Sequence, residues 1–302
     1  MPSSNRSYMD DSHEKGQQMV DIKLFVCCHQ PMPIPKHSLL VPVQVGAALT
    51  DKLFPGFLYD NTGENISQKN RSYCELTAQY WAWKNIEADY YGFFHYRRYL
   101  YPNLSAKRPY HIAKEPSLSL LEGLGYDGFS ELIQGYDLIA PMAEDMHISV
   151  REHYADSQGH HKKDLELAVQ LVRERCPEME AAINTYLTGT TSYFGNIYIM
   201  QREVFRDYCA WLFPILEEFD QRADTSNYTS QEKRVDGYIA ERLFGIYLTD
   251  RRDRLRVLEL PRVQFCSDRE YAHRKLLNTV LPPGSWRRSL IKKIKRKYEN
   301  GE

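Results

Sequence analysis

Short apolar runs bounded by proline, glycine and asparagine recur along the chain, with stretches of helical spacing between them. IKLFVCCH (22–29) reads as a buried strand stopped by the proline-rich QPMPIPKH. LLVPVQVGAAL (39–49) is a second short strand or extended segment entering a glycine turn, and YDNTGENISQKN (59–70) is a polar loop. Ser72 and Glu75 then have capping-box spacing, and Leu76, Tyr80 and Trp83 at i, i+4 and i+7 predict a helix. DYYGFFHYRRYL (89–100) opens as a strand, and YDLIAPM (136–142), TSYFGNIYIM (191–200) and LRVLELPRVQF (255–265) supply others. EVFRDYCAWLFPILEEFDQR (203–222) is a long helix that Pro214 should kink. RVDGYIAERLFGIYL (234–248) is a second, with Val235, Tyr238, Ile239, Leu243 and Ile246 on one face.

This alternation predicts an α/β sheet domain with a more helical second half. Ligands of such sheets lie beyond the carboxyl ends of the strands. The rule singles out His29, the loop at 60–70, His95 to Arg98 and the segment after Pro141.

Three clusters could carry chemistry there. In FFHYRRYL a period of two sends His95, Arg97 and Tyr99 one way and Phe94, Tyr96 and Arg98 the other. Near a strand end both arginines could still reach one cleft, where guanidinium suits bidentate capture of phosphate. The plainer reading pairs them with carboxylates at the core edge. In YDNTGENIS, Asp60, Asn61, Gly63, Asn65 and Ser67 could hold a ribose, a base edge or a phosphate, or serve only as turn residues. On the 234–248 helix, Arg234, Gly237, Glu241 and Gly245 form a polar, small-residue stripe. Glu241, or Asp236 near the helix start, could act as a general base, and a buried Glu241–Arg242 pair is the structural alternative. His153, His160, His161 and Asp164 lack the spacing of a helical metal site.

Composition adds limits. The chain has 302 residues, 42% hydrophobic and 26% charged, with a net charge of -1, which suits an ordinary soluble domain and argues against a nucleic-acid-coating surface. The six cysteines form no CxxC pair, which fits reduced thiols in the cytosol. No secretory h-region opens the chain, and no run reaches the roughly 18 apolar residues of a membrane span. The end is different: Trp286, Leu290, Ile291 and Ile294 can share one helical face opposite Arg287, Arg288, Lys292, Lys293, Lys295, Arg296 and Lys297. That is the pattern of an amphipathic segment lying on anionic lipid through residues 285–298. The expected organisation is a polar tail (1–20), one domain (21–266) and this basic segment (267–302).

Four blocks in order, DNTGENISQKNRSYCELTAQYWAWKN, YYGFFHYRRYL, GNIYIMQREVFRDYCAWLFPIL and RVDGYIAERLFGIYL, resemble a bacterial family first catalogued as a domain of unknown function. Its members occur in capsular polysaccharide, exopolysaccharide and O-antigen synthesis, and some are assigned as galactofuranosyltransferases. The resemblance spans roughly residues 20 to 265. It implies a GT-A-like (Rossmann-like) mixed sheet flanked by helices, and transfer of a sugar from a nucleotide donor such as a UDP-sugar to a saccharide on polyprenyl diphosphate. Such an enzyme would dock on the inner face of the cytoplasmic membrane. On this resemblance the His95–Tyr99 block would steady the diphosphate through Arg97 and Arg98, with His95 a catalytic donor or proton-transfer group; Asp60, Asn61 and Asn65 would hold the nucleoside and Asn196 the sugar or acceptor, with Arg234 also on the donor. Glu241, then Asp236, would be the base. No cofactor is firmly implied. No DxD pair ends an apolar strand, although an Asp such as Asp137 or Asp145 could hold Mn or Mg. The rival classes are a non-catalytic nucleotide- or glycan-binding module and an RNA-binding protein.

Overall fold

A computed structural model describes residues 20–281 and residue 287. The first half runs β1 (Ile22–Cys28), β2 (Leu40–Gln44), β3 (Leu58–Tyr59), α1 (Asn70–Tyr73), α2 (Leu76–Asn85), β4 (Tyr90–His95), β5 (Arg98–Leu100), β6 (Tyr110–Ala113), α3 (Leu118–Gly123), α4 (Phe129–Gln134), β7 (Leu138–Pro141) and β8 (Glu144–Asp145). The second runs α5 (Val150–Ala155), α6 (Lys162–Arg175), α7 (Glu180–Thr188), β9 (Thr191–Ser192), β10 (Tyr198–Gln201), α8 (Arg202–Arg222), α9 (Val235–Arg251), β11 (Val257–Leu260), β12 (Arg262–Phe265) and α10 (Asp268–Val280). The second half is indeed the more helical. The expected 1–20 tail and the 285–298 amphipathic segment lie outside the described residues, apart from Val20 and Arg287; α10 is the described part of 267–302.

The main sheet has the order β11-β7-β10-β4-β1-β2-β3. All neighbours are parallel except β10, which runs antiparallel to both β4 and β7. Register pairs Cys27 with His95 and with Val43, so β1, β2 and β4 end together. Because β10 is reversed, its amino-terminal approach, Gly195–Asn196, comes to the same edge. Side chains alternate along β1. Phe25 and Cys27 enter the core that α2, α8 and α9 cover, while Leu24, Val26 and Cys28 enter a second core on the other face. Fully burying such side chains contributes roughly 1.5–3 kcal/mol each.

Two local expectations change. Ser72 does not cap the helix: its hydroxyl bonds the Asp236 carboxylate, Cys74 turns the chain at φ 51°, and α2 begins after Glu75. Along α2 the deeply buried indole is Trp81, while Trp83 is half-buried against Phe213. LRVLELPRVQF is also two strands. Pro261 separates β11, beside β7, from β12, which pairs with β5 and β6 in an extension of the sheet.

Candidate functional site

The carboxyl ends of β1 and β4 open into a cavity of about 510 Å³. Cys27, His29, Val45 and His95 form its sheet side; Arg71, Cys74 and Glu75 come from the α1–α2 junction, and Lys233 and Arg234 from the turn just before α9. The His95 Nδ1 accepts a hydrogen bond from the Arg97 backbone N–H at 3.2 Å, which leaves the proton on Nε2. Burial, then the charges of Arg98 and Arg97, push this imidazole down to about 2. His29 is lowered too, by burial and then by Arg234 and Arg97. Both histidines are therefore neutral donors at physiological pH. The cations are Arg71, Lys233 and Arg234, the last donating from Nε to Cys74 Sγ at 3.3 Å.

Glu75 is the one carboxylate in this lining. Its Oε1 accepts from Asn196 Nδ2 at 2.9 Å, and burial raises its pKa, with the Glu241 charge adding to the rise. The positive φ of Cys74 separates α1 from α2 and so starts a new helix at this side chain.

A second cavity, of about 330 Å³, lies over the β5–β12–β6 extension. Arg98 sits opposite Gln264, and Tyr110 opposite Arg262, so these four share one face of the sheet. Glu144, Phe194, Gly195 and Glu241 complete the walls. Arg98 Nε donates to Gln264 Oε1 at 3.0 Å, and Arg262 pairs with Glu144 and donates from Nη1 to the Phe194 carbonyl at 2.9 Å. Arg262 is 8% exposed, and burial, then the Arg98 charge, lowers its pKa to about 10.

The sequence candidates are thus divided. His95 and Arg234 line the first cavity, Arg98 and Glu241 the second. Tyr96 and Arg97 form the tip of a hairpin that pairs His95 with Arg98, so the strict alternation through HYRRY breaks there. Arg97 is exposed, with its guanidinium 5.1 Å from the Tyr96 ring centroid, and lines neither cavity although its charge reaches both histidines. A single clamp of both arginines is not what forms. Asp60 is fully buried, accepting from the Gly46 and Ala47 amides and from the Ser67 and Thr77 hydroxyls. Asn65 bonds Gly63 and Ser67 within its turn, and exposed Asn61 lines neither cavity. The loop's polar residues fold the loop.

Asp236 is 0% exposed and held by Ser72, outside both cavities; burial, then Asp220, raises its pKa. Glu241 accepts from the Gly195 amide at 2.6 Å and from Arg242 at 2.7 Å, so both oxygens are engaged and its use as a base is disfavoured. Asn196 is buried, at φ 47°, and spends Nδ2 on Glu75 and the Gly237 carbonyl. It positions Glu75. The two glycines of the α9 stripe admit protein, not ligand: a Cβ on Gly245 would lie 2.0 Å from Tyr186 Cζ, and one on Gly237 3.3 Å from Cys74 Sγ. Asp137 is tied to Arg256 and Asp145 lies beside His147; among the described residues no group of three His, Cys, Asp or Glu could hold a metal.

Residues 23–252 match the family described as a domain of unknown function, DUF4422. The chain belongs to that family. A solved apo structure of the WbbM bifunctional glycosyltransferase is similar, with 32% identity and a TM-score of 0.78 over 82% of this chain. The chain covers 46% of that protein, a little under half its length. The curated proteins contain no match. The fold is accordingly the GT-A-like mixed sheet that the sequence blocks implied. Arg71 and Glu75, which line the first cavity, are not among the sequence candidates. Both lie inside the first of those blocks, the one signal the sequence carries for them, and the spacing of Glu75 from Ser72 is that of a helix cap.

Proposed function

We propose that this DUF4422 chain is a glycosyltransferase whose first cavity binds the nucleoside diphosphate of a nucleotide-sugar donor. The observation that carries the reading is the charge of that cavity. Arg71, Lys233 and Arg234 face it against one carboxylate, at the strand ends where open α/β sheets take ligands. Neutral His29 and His95 add N–H donors without adding charge. Guanidinium and ammonium groups held there would stabilise the negative charge that grows on the leaving diphosphate as the glycosidic bond breaks. Glu75, with its raised pKa and a position fixed by Asn196, takes the place of Glu241 and Asp236 as the carboxylate placed to accept the acceptor's proton. The likeness to a bifunctional glycosyltransferase supports the reaction class.

A UDP-sugar is the proposed donor, with galactofuranose as one candidate sugar. A lipid-linked saccharide of capsule, exopolysaccharide or O-antigen synthesis is the proposed acceptor. The basic segment at 285–298 would bring the enzyme to the inner face of the cytoplasmic membrane, where such an acceptor is held. No helix of the described residues is long and apolar enough to cross a membrane.

Calorimetry with UDP, GDP, CDP and dTDP, with and without EDTA, tests the reading. UDP binding in the micromolar range that survives EDTA supports it. Binding of none of the four would sink it, and binding without transfer from any donor would leave a nucleotide-binding module.

A further inference from the structure

The second cavity belongs to none of the contacts needed by a nucleotide, and its chemistry differs from the first. Arg98 and Arg262 face it with Glu144 and Glu241, two cations against two anions, so its formal charge balances. A phosphate gains little from such a lining. A polyol gains much, because every hydroxyl both donates and accepts and here meets both kinds of group.

The donors are in place before any ligand arrives. Arg98 uses Nε on Gln264, and among the described residues its Nη groups and the Tyr110 hydroxyl have no hydrogen-bond partner. Arg262, more than nine-tenths buried in the cavity lining, is fixed by Glu144 and the Phe194 carbonyl, and its Nε has no partner among the described residues. Burying a guanidinium is costly unless it is paired, and the Glu144 carboxylate and the Phe194 carbonyl supply that pairing and so fix this polar wall. Phe194 also lines the cavity, its ring held between the Arg242 guanidinium and the His153 imidazole.

Position links the two cavities. Consecutive residues of one bend hold their carboxylates: Asn196 holds Glu75 in the first, and the Gly195 amide holds Glu241 in the second. His95 of the first and Arg98 of the second are cross-strand partners. A group bound in one cavity is thus one residue pair from the other.

We propose that the second cavity is the subsite for a neutral saccharide, the acceptor sugar of the transfer. The assignment rests on the glycosyltransferase reading above and deepens it. Arg98 and Tyr110 bind acceptor hydroxyls, while Glu144 and Glu241 accept from others.

Saturation-transfer NMR on the full chain tests this with the methyl glycosides of galactose (pyranose and furanose), glucose and mannose, with UDP binding followed in the same samples. At least one glycoside should receive saturation, and saturating UDP should not remove it. Arg98→Ala should abolish the signal, and the isosteric Tyr110→Phe should weaken binding about threefold to tenfold, with UDP affinity unchanged in both. The assignment is overturned if no glycoside is saturated, if UDP displaces the bound one, or if both variants bind as well as the wild type. Loss of UDP binding by the wild type is a separate result, and it would remove the donor reading instead.

Discussion

Glu75 accepts a 2.9 Å hydrogen bond from Asn196 across 121 residues of sequence. The bond ties the start of α2 to the left-handed bend before β10. Burial raises the Glu75 pKa, so the proton leaves it later than from an exposed carboxylate.

That shift predicts how nucleotide affinity responds to pH. As pH falls through the raised pKa, Glu75 becomes neutral and its repulsion of a bound diphosphate disappears. His95, pushed down to about 2, stays neutral as Glu75 takes up its proton, and burial holds the His29 pKa below its ordinary value. Glu75→Gln should therefore bind UDP roughly tenfold more tightly than wild type near pH 8. The two should converge at lower pH, while transfer activity in Glu75→Gln is lost. Equal affinities across the range by calorimetry would place Glu75 away from the phosphates.

Arg234 and Arg97 should separate in the same assay. Arg234 lines the first cavity and can bond a phosphate directly, so Arg234→Ala should cost about 1.5–3 kcal/mol of UDP binding. Arg97 lies outside and acts only through its exposed charge, so Arg97→Ala should weaken binding no more than about threefold. The reverse order of effects would restore the HYRRY arginines as the phosphate clamp.

Asp236 should lower stability as pH rises. Burial and Asp220 raise its folded pKa, so the folded chain holds this proton more tightly than the unfolded chain. Its contribution is fully present below the unfolded pKa of about 4 and is lost as pH climbs through the folded value. Asp236→Asn keeps an acceptor for Ser72 and removes the buried charge. Its Tm relative to wild type should be higher at pH 8 than at pH 5, and a difference that does not change with pH would contradict this.

Gly245→Ala tests whether the α9 stripe serves packing. The added Cβ would meet the Tyr186 ring at 2.0 Å, and Tyr186 is buried and bonded to Ser192. Destabilisation of about 1–3 kcal/mol is expected in urea unfolding. A neutral result would mean that α7 and α9 shift apart easily.

Deleting residues 285–302 should leave UDP affinity intact, since both cavities are built from residues before 265. It should also abolish co-sedimentation with phosphatidylglycerol vesicles at low salt, where lysine and arginine contribute about 1 kcal/mol each. Sedimentation that survives the deletion would move the membrane contact elsewhere.

Much of the scaffold was legible in the sequence because it depends on local periodicity. β1, β4, β7 and α9 appear where apolar runs and helical spacing place them, and the buried Glu241–Arg242 pair was already an open alternative. The functional contacts were less legible. HYRRY announced a cationic strand end, yet a two-residue turn decides that His95 and Arg98 pair while Arg97 points outward. Asp60 and Asn65 looked like ligand groups because the residues that satisfy buried amides in a loop are the same types that bind nucleosides.

The sequence by itself determined β1, β4, β7, β10, α8 and α9, the family and the near-neutral charge, since each follows from neighbouring residues or from their sum. Only the tertiary structure decided which polar groups meet. Reversal of β10 brings Gly195 and Asn196 to the carboxyl edge of β1 and β4, and there they select Glu75 for one cavity and Glu241 for the other. Strand direction is set by crossover connections and by packing across the whole sheet, and no local spacing encodes it.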